Sequence, residues 1–444
     1  MRLDSFFDGL LEERSARWAF RLALVASIPV YYVVGRYQWF IRDDWAFVLT
    51  RDRMRRQFGW DDWLFTAQDG HWMTPPLIVY RLVESIFGLG SYWPFLVPTV
   101  ALHVGAVLLV RVLCRRMGVH EWTTTLLCIA LLWFGGGWEN IVFAVQITYN
   151  ISLVAFLAQL VLTDHDGPPD RRDVLGAALG VIGVMSSGFG PFFIVGVGLF
   201  LALRHRWVAA AVAVVPQGLA YAWWAVTWGA DVASETVTGP RTLAPVFAAR
   251  GITTTFERLV AVPSLAGVAV LASLAVVFTT REPRTRTLAI TLWVVPTLMF
   301  LGVGVQRIGF GLDSAGSSRY AHIAAMLVVP LLGRTVDSVA RWSTPLHRSA
   351  QVLLVASVTI NAAWLHTESG AWARRAAQAR RTFELLAGSP LTATVDPAVV
   401  PVAFDPDVTV GQIVVLVERG AIEARPTVTP DDEALVRKAL GLSP

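Results

Sequence analysis

The sequence predicts an all-α membrane protein with about eleven transmembrane helices, a long first outer loop and a small C-terminal region. Of its 444 residues, 55% are hydrophobic and only 16% are charged, and its mean hydropathy is +0.54. One soluble core cannot bury that much apolar surface. Apolar runs of about 20 residues, the length of a helix that crosses a bilayer, recur along the chain at short intervals.

The predicted spans begin at residue 17, and we expect the first of them to be retained. Its apolar run is followed by Arg36 and Arg42, and not by the small-residue cleavage site of a signal peptide. We predict a transmembrane domain at residues 1–366 and a small extracytoplasmic region at residues 367–444. The apolar runs are 17–37, 92–113, 121–137, 149–164, 173–187, 190–204, 207–228, 258–280, 287–305, 319–334 and 349–366.

Arginine clusters predict the orientation of these spans, because cytoplasmic loops of membrane proteins are enriched in basic residues. Every cluster becomes cytoplasmic under a single assignment, in which the N-terminus is cytoplasmic and the C-terminus is extracytoplasmic. The clusters are Arg2 with Arg14 and Arg17; Arg111 with Arg115 and Arg116; Arg171 with Arg172; Arg204 with Arg206; Arg281 with Arg284 and Arg286; and Arg334 with Arg341 and Arg348.

That assignment requires that residues 77–87 do not cross the membrane. This apolar stretch is too short to span a bilayer, and it follows Pro75 and Pro76 and ends before Gly88. These features are typical of a helix that lies on the outer interface. The first outer loop then covers about residues 38–91, and its many tryptophans predict that it carries interfacial helices.

Two adjacent carboxylates, Asp43 and Asp44, lie where the first span leaves the bilayer. A carboxylate near apolar surface can have a raised pKa and act as a base, while its neighbour orients a hydroxyl. The alternative is interfacial solvation, with Asp44 as a helix cap. Further along the same loop, His71 could donate a proton or hold a phosphate, or could serve only in packing.

Polar residues also enter the next outer segment, which begins at Glu139 and Asn140. On a continuous helix, Glu139, Gln146 and Asn150 would share one face, because they are seven and four residues apart. Polar groups at membrane depth are costly and face either a cavity or a partner helix. The stripe therefore predicts a substrate-lined pocket or, alternatively, hydrogen bonding between helices.

A late outer loop carries Arg307 and Arg319, and Tyr320 follows at the start of a predicted span. Ser317 or Ser318 can cap that span, and a helix N-terminus with two arginines is well suited to a phosphate. The alternative is that the arginines pair with acids such as Asp313, or extend to lipid headgroups.

Other parts of the sequence exclude several kinds of chemistry. The only two cysteines, Cys114 and Cys128, lie in or beside predicted spans, with neither metal spacing nor a redox pair. No pattern supports a divalent cation, and we predict no cofactor. The net charge of +4 is almost entirely arginine and does not indicate a nucleic-acid surface. We expect two capped helices near Thr409 and Thr429 in a C-terminal tail that serves mainly in packing. The alternatives are that the tail binds glycan or guards the cleft.

Taken in order, these motifs resemble those of the GT-C glycosyltransferases. Asp-Asp-Trp follows the first span, Gly-His-Trp precedes two prolines, Glu-Asn leads to a glutamine, and Ser-Arg-Tyr opens a late span. The resemblance implies a GT-C-like fold in a bacterial plasma membrane protein, with Asp43 or Asp44 acting on the acceptor. It also implies a polyprenyl-phosphate-linked sugar donor, a cell-envelope glycan or lipid acceptor, and inversion at the sugar. We expect the substrate-binding residues to be His71, Glu139, Asn140, Gln146, Arg307, Arg319 and Tyr320.

Two other functions fit the same residues. A polar cleft with arginines would also suit a transporter or flippase of a lipid-linked glycan. A non-catalytic envelope scaffold is the third candidate. No inverted repeat accompanies the acidic first loop, which favours the enzyme. The enzyme hypothesis predicts that Asp43, His71, Glu139 and Arg319 meet in one outward cavity.

Overall fold

The computed structural model describes residues 13–229, 239–340 and 343–443, which fold almost entirely into helices. Within these ranges the β-type pairing is a single isolated bridge between Gln68 and His71. Arg2 and Arg341, which belong to the arginine clusters used for orientation, lie outside the described residues.

Twelve α-helices lie within the described residues 13–229. A turn of π-helix, Ala46–Thr50, joins the second of them to the third, so residues 43–58 are helical throughout. The helices are α1 (Glu13–Gly35), α2 (Asp43–Trp45), α3 (Arg51–Phe58), α4 (Trp60–Phe65), α5 (Thr74–Phe87), α6 (Trp93–Arg116), α7 (Glu121–Leu132), α8 (Glu139–Val142), α9 (Ile147–Thr163), α10 (Arg171–Val184), α11 (Gly190–Leu203) and α12 (Trp207–Thr227).

Seven further α-helices lie in the other two described ranges. The last two pack against the outer part of a very long helix, α17, which has 45 residues. The helices are α13 (Ala244–Val260), α14 (Pro263–Thr279), α15 (Pro283–Arg307), α16 (Ser318–Ala340), α17 (Thr344–Gly388), α18 (Val410–Glu418) and α19 (Pro430–Ala439). Both predicted caps are confirmed, since Thr409 forms a capping box with Gln412 and the Thr429 hydroxyl accepts from the Asp432 amide.

The chain is a multi-pass membrane protein. Seven helical segments of the described ranges are long and apolar enough to cross a bilayer, and a bent pair brings the number to eight if it forms one span. They contain α1, α6, α9, α12, α15, α16 and α17, and the bent pair is α13 with α14. The predicted number of eleven crossings stays a prediction.

One predicted span is not a single helix. The run 258–280 breaks between α13 and α14, which are bent by 112°. Ala261 adopts the left-handed conformation with φ 57°, and Pro263 disfavours helical geometry at Val262. The segment before the break lies between the predicted spans 207–228 and 258–280, where no helix was predicted, and it contains α13. Its charged residues, including Arg250 and Glu257, lower its hydropathy and so hid the helix.

The predicted cytoplasmic arginines gather at one end of the bundle, which we call the arginine end. The fully buried Asp164 carboxylate accepts hydrogen bonds from Arg116, Arg204 and Arg284, at 2.8, 2.5 and 2.8 Å. These arginines come from three separate clusters and from the ends of α6, α11 and α15. Several clusters therefore share one end, as the predicted topology requires.

The long helices α6, α15 and α16 connect this end to the opposite one, where the first loop lies. There α2 and α5 pack with the outer part of α17 around an aromatic cluster that includes Trp39, Phe40 and Trp45. The C-terminal helix α18 is fastened to the same surface, because Arg419 pairs with Glu84 of α5. The domain boundary that we placed at residue 366 falls inside α17, which continues from the bundle into this outer layer.

Candidate functional site

Four of the predicted site residues line one cavity of about 530 Å³ at the end opposite the arginine end: Asp43, Arg307, Arg319 and Tyr320. They lie at the start of α2, at the end of α15 and in the first turn of α16. The other lining residues are Arg42, Ala46, Gln68, Asp69, Gln306, Phe310, Ser314, Ser317, Pro406 and Asp407.

The two adjacent carboxylates have different environments. Asp43 lines the cavity, whereas Asp44 is fully buried. The Asp44 carboxylate accepts hydrogen bonds from the Tyr80 hydroxyl at 2.5 Å, the Tyr92 hydroxyl at 2.9 Å and the Ile41 amide at 3.2 Å. Burial, partly opposed by these hydrogen bonds, raises the pKa of Asp44 to about 7. Asp44 thus attaches the start of α2 to α5 and α6.

The backbone turns at Arg42, directly before Asp43 and Asp44. Arg42 has φ 54°, which is uncommon for a residue other than glycine, and its amide donates to the Asp405 carboxylate at 2.5 Å. Its guanidinium lies 4.7 Å from the centre of the Phe404 ring. The C-terminal segment therefore fixes the turn from which α2 begins.

Glu139 fixes the position of Arg319. Its carboxylate lies at the N-terminus of α16, where it accepts hydrogen bonds from the Ser318 hydroxyl and, at 3.2 Å, from the Arg319 amide. The other Glu139 oxygen is 3.7 Å from the Arg319 guanidinium. A carboxylate at a helix N-terminus is favoured by the helix dipole. Glu139 does not line the cavity itself but holds a cation that does.

Arg307 is another of the arginines that line the cavity. The alternative acid partner, Asp313, lies instead 3.9 Å from Arg250. Within the described ranges, no carboxylate lies within ion-pair distance of Arg307. Its charge is therefore available to a ligand of the cavity.

His71 lies close behind the cavity and is neutral at about pH 7. Burial lowers its pKa to about 4, and the nearby charge of Arg307 acts in the same direction. Its backbone pairs with that of Gln68, which does line the cavity. The imidazole packs on Gly188, where a Cβ would approach the ring nitrogen Nδ1 to 2.4 Å.

Asn140 and Gln146 are buried and do not line the cavity. The continuous polar stripe that we predicted for this segment is wrong, because α8 ends at Val142, the next residue, Phe143, is extended, and a turn of 3-10 helix precedes α9. The Asn150 amide instead donates to the Asn140 carbonyl at 2.9 Å. The side-chain amide of Asn140 makes no hydrogen bond with the described residues.

The cavity also contains a segment that sequence reasoning missed. Pro406 and Asp407 come from the C-terminal tail, to which we assigned a packing role. The Thr50 hydroxyl donates to Asp407 Oδ1 at 2.7 Å, which attaches the tail to the first loop. Two aspartates flanking a proline between two helices were the available signal.

Two solved structures have a similar fold. Both are ArnT from Cupriavidus metallidurans, one bound to undecaprenyl phosphate and the other in the apo state. The bound form has a TM-score of 0.53 at 12% identity, with 94% of this chain and 87% of that chain covered. The apo form has a TM-score of 0.52 at 12% identity, with 95% and 88% covered.

Comparisons of sequence alone do not detect this similarity of fold. No protein-family model matches the chain, and neither does any curated protein. ArnT belongs to the GT-C glycosyltransferases, so the predicted resemblance is confirmed at the level of the fold. The chain has a GT-C-like fold.

Proposed function

We propose that the protein is a membrane-embedded glycosyltransferase that transfers a sugar from a polyprenyl-phosphate donor to a cell-envelope acceptor. One observation carries this proposal: a carboxylate, Asp43, shares a cavity with Arg307 and Arg319, neither of which is paired with Asp313. The ArnT structure with undecaprenyl phosphate supports a donor of this class. The arginine end is cytoplasmic in this proposal, so transfer takes place at the outer face of the bacterial plasma membrane.

The reaction is a single displacement. The Asp43 carboxylate accepts the proton of an acceptor hydroxyl, whose oxygen forms a bond to the anomeric carbon of the sugar. The bond between that carbon and the phosphate oxygen breaks, and polyprenyl phosphate leaves with the electron pair. Arg307 and Arg319 stabilise the charge that develops on the phosphate. Because attack and departure occur on opposite faces, the configuration of the sugar is inverted.

The remaining predicted residues have supporting roles in this scheme. Glu139 holds the Arg319 guanidinium, while Tyr320 forms the adjacent wall of the cavity. His71 is neutral, and we assign it to positioning the Gln68 turn. Asn140 and Gln146 are buried, and we assign them no direct contact with the substrates.

The test is sugar transfer by the Asp43→Asn variant in proteoliposomes. The donors are synthetic undecaprenyl-phosphate hexoses and pentoses, and the acceptor is envelope glycan from a strain that lacks the gene. Loss of a general base should lower the rate about 100-fold or more. Asp61→Asn, which alters an exposed acid of another Asp-Asp-Trp motif in the same loop, should retain full activity.

Full activity of the folded Asp43→Asn variant would show that the assignment of the base is wrong. Movement of labelled lipid-linked sugar across the bilayer, without a new glycosidic bond, would identify the protein as a transporter instead.

A further inference from the structure

The charged residues of the cavity are of two kinds. The positive residues are Arg42, Arg307 and Arg319, of which Arg307 and Arg319 can bind a phosphate in the proposed reaction. The carboxylates are Asp43, Asp69 and Asp407, which can accept hydrogen bonds from hydroxyls. The donor phosphate occupies the arginines in the proposed reaction, and Asp43 takes the proton. Asp407 is then a carboxylate of the cavity to which no step of that reaction has been assigned.

Asp407 is held rigidly beside the first loop. Its neighbour Asp405 is fully buried and accepts from the Arg42 amide at 2.5 Å, and Val408 on its other side is also fully buried. Thr50 binds Asp407 Oδ1 at 2.7 Å. Two hydrogen bonds therefore attach this part of the tail to the first loop, one at the Arg42 amide and one at the Thr50 hydroxyl of the π-helix.

The second oxygen of Asp407 is available to a ligand. Oδ2 accepts no hydrogen bond from the described residues, although the side chain is partly buried. Burial raises the pKa of Asp407, and repulsion from Asp43 adds to the rise, while the hydrogen bond from Thr50 opposes it. The two carboxylates are thus close enough to influence each other.

We infer that Asp407 binds a second hydroxyl of the acceptor, and that the acceptor is an uncharged, hydroxyl-rich glycan. A carboxylate is a strong acceptor for hydroxyl donors, and two adjacent hydroxyls of a sugar can reach two neighbouring carboxylates. Together with Asp69 of the same cavity, these two negative charges repel an anionic acceptor when the donor phosphate occupies Arg307 and Arg319. This inference rests on the proposed function, because it assigns Asp43 to the reacting hydroxyl.

The test measures transfer to two acceptor pools. Envelope glycan from the deletion strain is separated by anion exchange into a neutral and an acidic pool, and each is titrated with labelled donor in proteoliposomes. The wild-type protein should label the neutral pool. Asp407→Asn should raise the half-saturating concentration of that pool about tenfold, with the KM for donor unchanged. The reason is that the glycan hydroxyl then donates to a neutral amide oxygen and no longer to a carboxylate.

Two further variants separate binding from folding. Asp431→Asn, which alters an exposed acid of α19, should behave as wild type. Thr50→Val removes the hydroxyl that orients Asp407 but keeps its charge, so it should raise the half-saturating concentration by a smaller factor. Asp407→Asn should also increase labelling of the acidic pool, because one repulsive charge is lost; an unfolded protein would not show that change.

Label that enters mainly the acidic pool would overturn the inference, as would an unchanged half-saturating concentration in Asp407→Asn. In both cases the loss of transfer in Asp43→Asn would leave the proposed function standing. If the wild-type protein labels neither pool, the proposed function fails and this inference fails with it.

Discussion

Asp43 lines the cavity whereas Asp44 is buried, and the burial of Asp44 leads to a prediction about stability. Asp44→Ala should destabilise the fold strongly, while Asp44→Asn should not. Alanine leaves the Tyr80 hydroxyl, the Tyr92 hydroxyl and the Ile41 amide without the acceptor that they use. Each buried donor without a partner costs about 1–3 kcal/mol, so the loss should be at least about 3 kcal/mol. An asparagine oxygen keeps up to two of the three hydrogen bonds.

The same site predicts a pH dependence of a definite sign. Burial raises the pKa of Asp44 from 3.8 to about 7 in the folded state. A group whose pKa is raised by folding stabilises the protein fully below its unfolded pKa, and this contribution is lost as the pH rises through the folded pKa. At about 1.36 kcal/mol per pKa unit, the wild-type protein should lose about 4 kcal/mol relative to Asp44→Asn between about pH 4 and 8.

The measurement is the free energy of unfolding of both variants and the wild type in detergent micelles, followed by tryptophan fluorescence over this pH range. Subtracting the wild-type curve from the Asp44→Asn curve cancels the other titrating groups, because both proteins share them. A constant difference between the curves would refute the burial argument. Equal stability of Asp44→Ala and Asp44→Asn would refute the anchoring role.

Four other substitutions follow from the same structure. Arg307→Gln and Arg319→Gln should each lower kcat/KM for the donor about 10- to 100-fold, since a charge-assisted hydrogen bond is worth about 1.5–3 kcal/mol; Arg53→Gln, an exposed cation of α3, is the control. Glu139→Gln should lower kcat/KM by a smaller factor, because Arg319 remains but loses its ion pair. Asp164→Asn should lower the thermal midpoint of unfolding with donor KM unchanged, because this buried carboxylate and its arginine partners lie at the opposite end.

Each of these outcomes has a contradicting result. Normal donor kinetics in both arginine variants would remove the phosphate site. A Glu139→Gln variant that is less active than Arg319→Gln would give Glu139 a role beyond holding the arginine. An unchanged melting point in Asp164→Asn would show that its arginines find other partners.

Sequence patterns placed Asp43 and Arg319 on the same side of the membrane. The number of spans between two residues and the positions of the arginine clusters both indicate the side on which a loop lies. They could not separate Asp43 from Asp44. Successive residues of a helix point about 100° apart, and the left-handed turn at Arg42 decides which of the two faces the cavity. That turn is stabilised by Asp405, whose distance along the chain hides the contact from any local pattern.

Of the two helix breaks that we did not predict, one could have been recognised from the sequence and the other could not. Pro263 marks the break between α13 and α14, because the residue before a proline disfavours helix. Phe143 interrupts the polar segment between Glu139 and Gln146 without such a marker, so the broken helix there depends on packing and not on local propensity.

Local chemistry alone accounts for the membrane character, the capped helices of the tail and the end of the bundle at which each charged motif lies, because hydropathy, caps and arginine clusters act over a few turns of chain. Assembly of the cavity depends on contacts between distant segments. Asp407 reaches the first loop only because α17 extends past the bundle and carries the tail back over α2. Glu139 caps α16 although it lies 180 residues before Arg319 in the sequence, and helical periodicity cannot reveal a contact at that separation. These hydrogen bonds join residues that are far apart in the sequence, so they form only when the helices have packed.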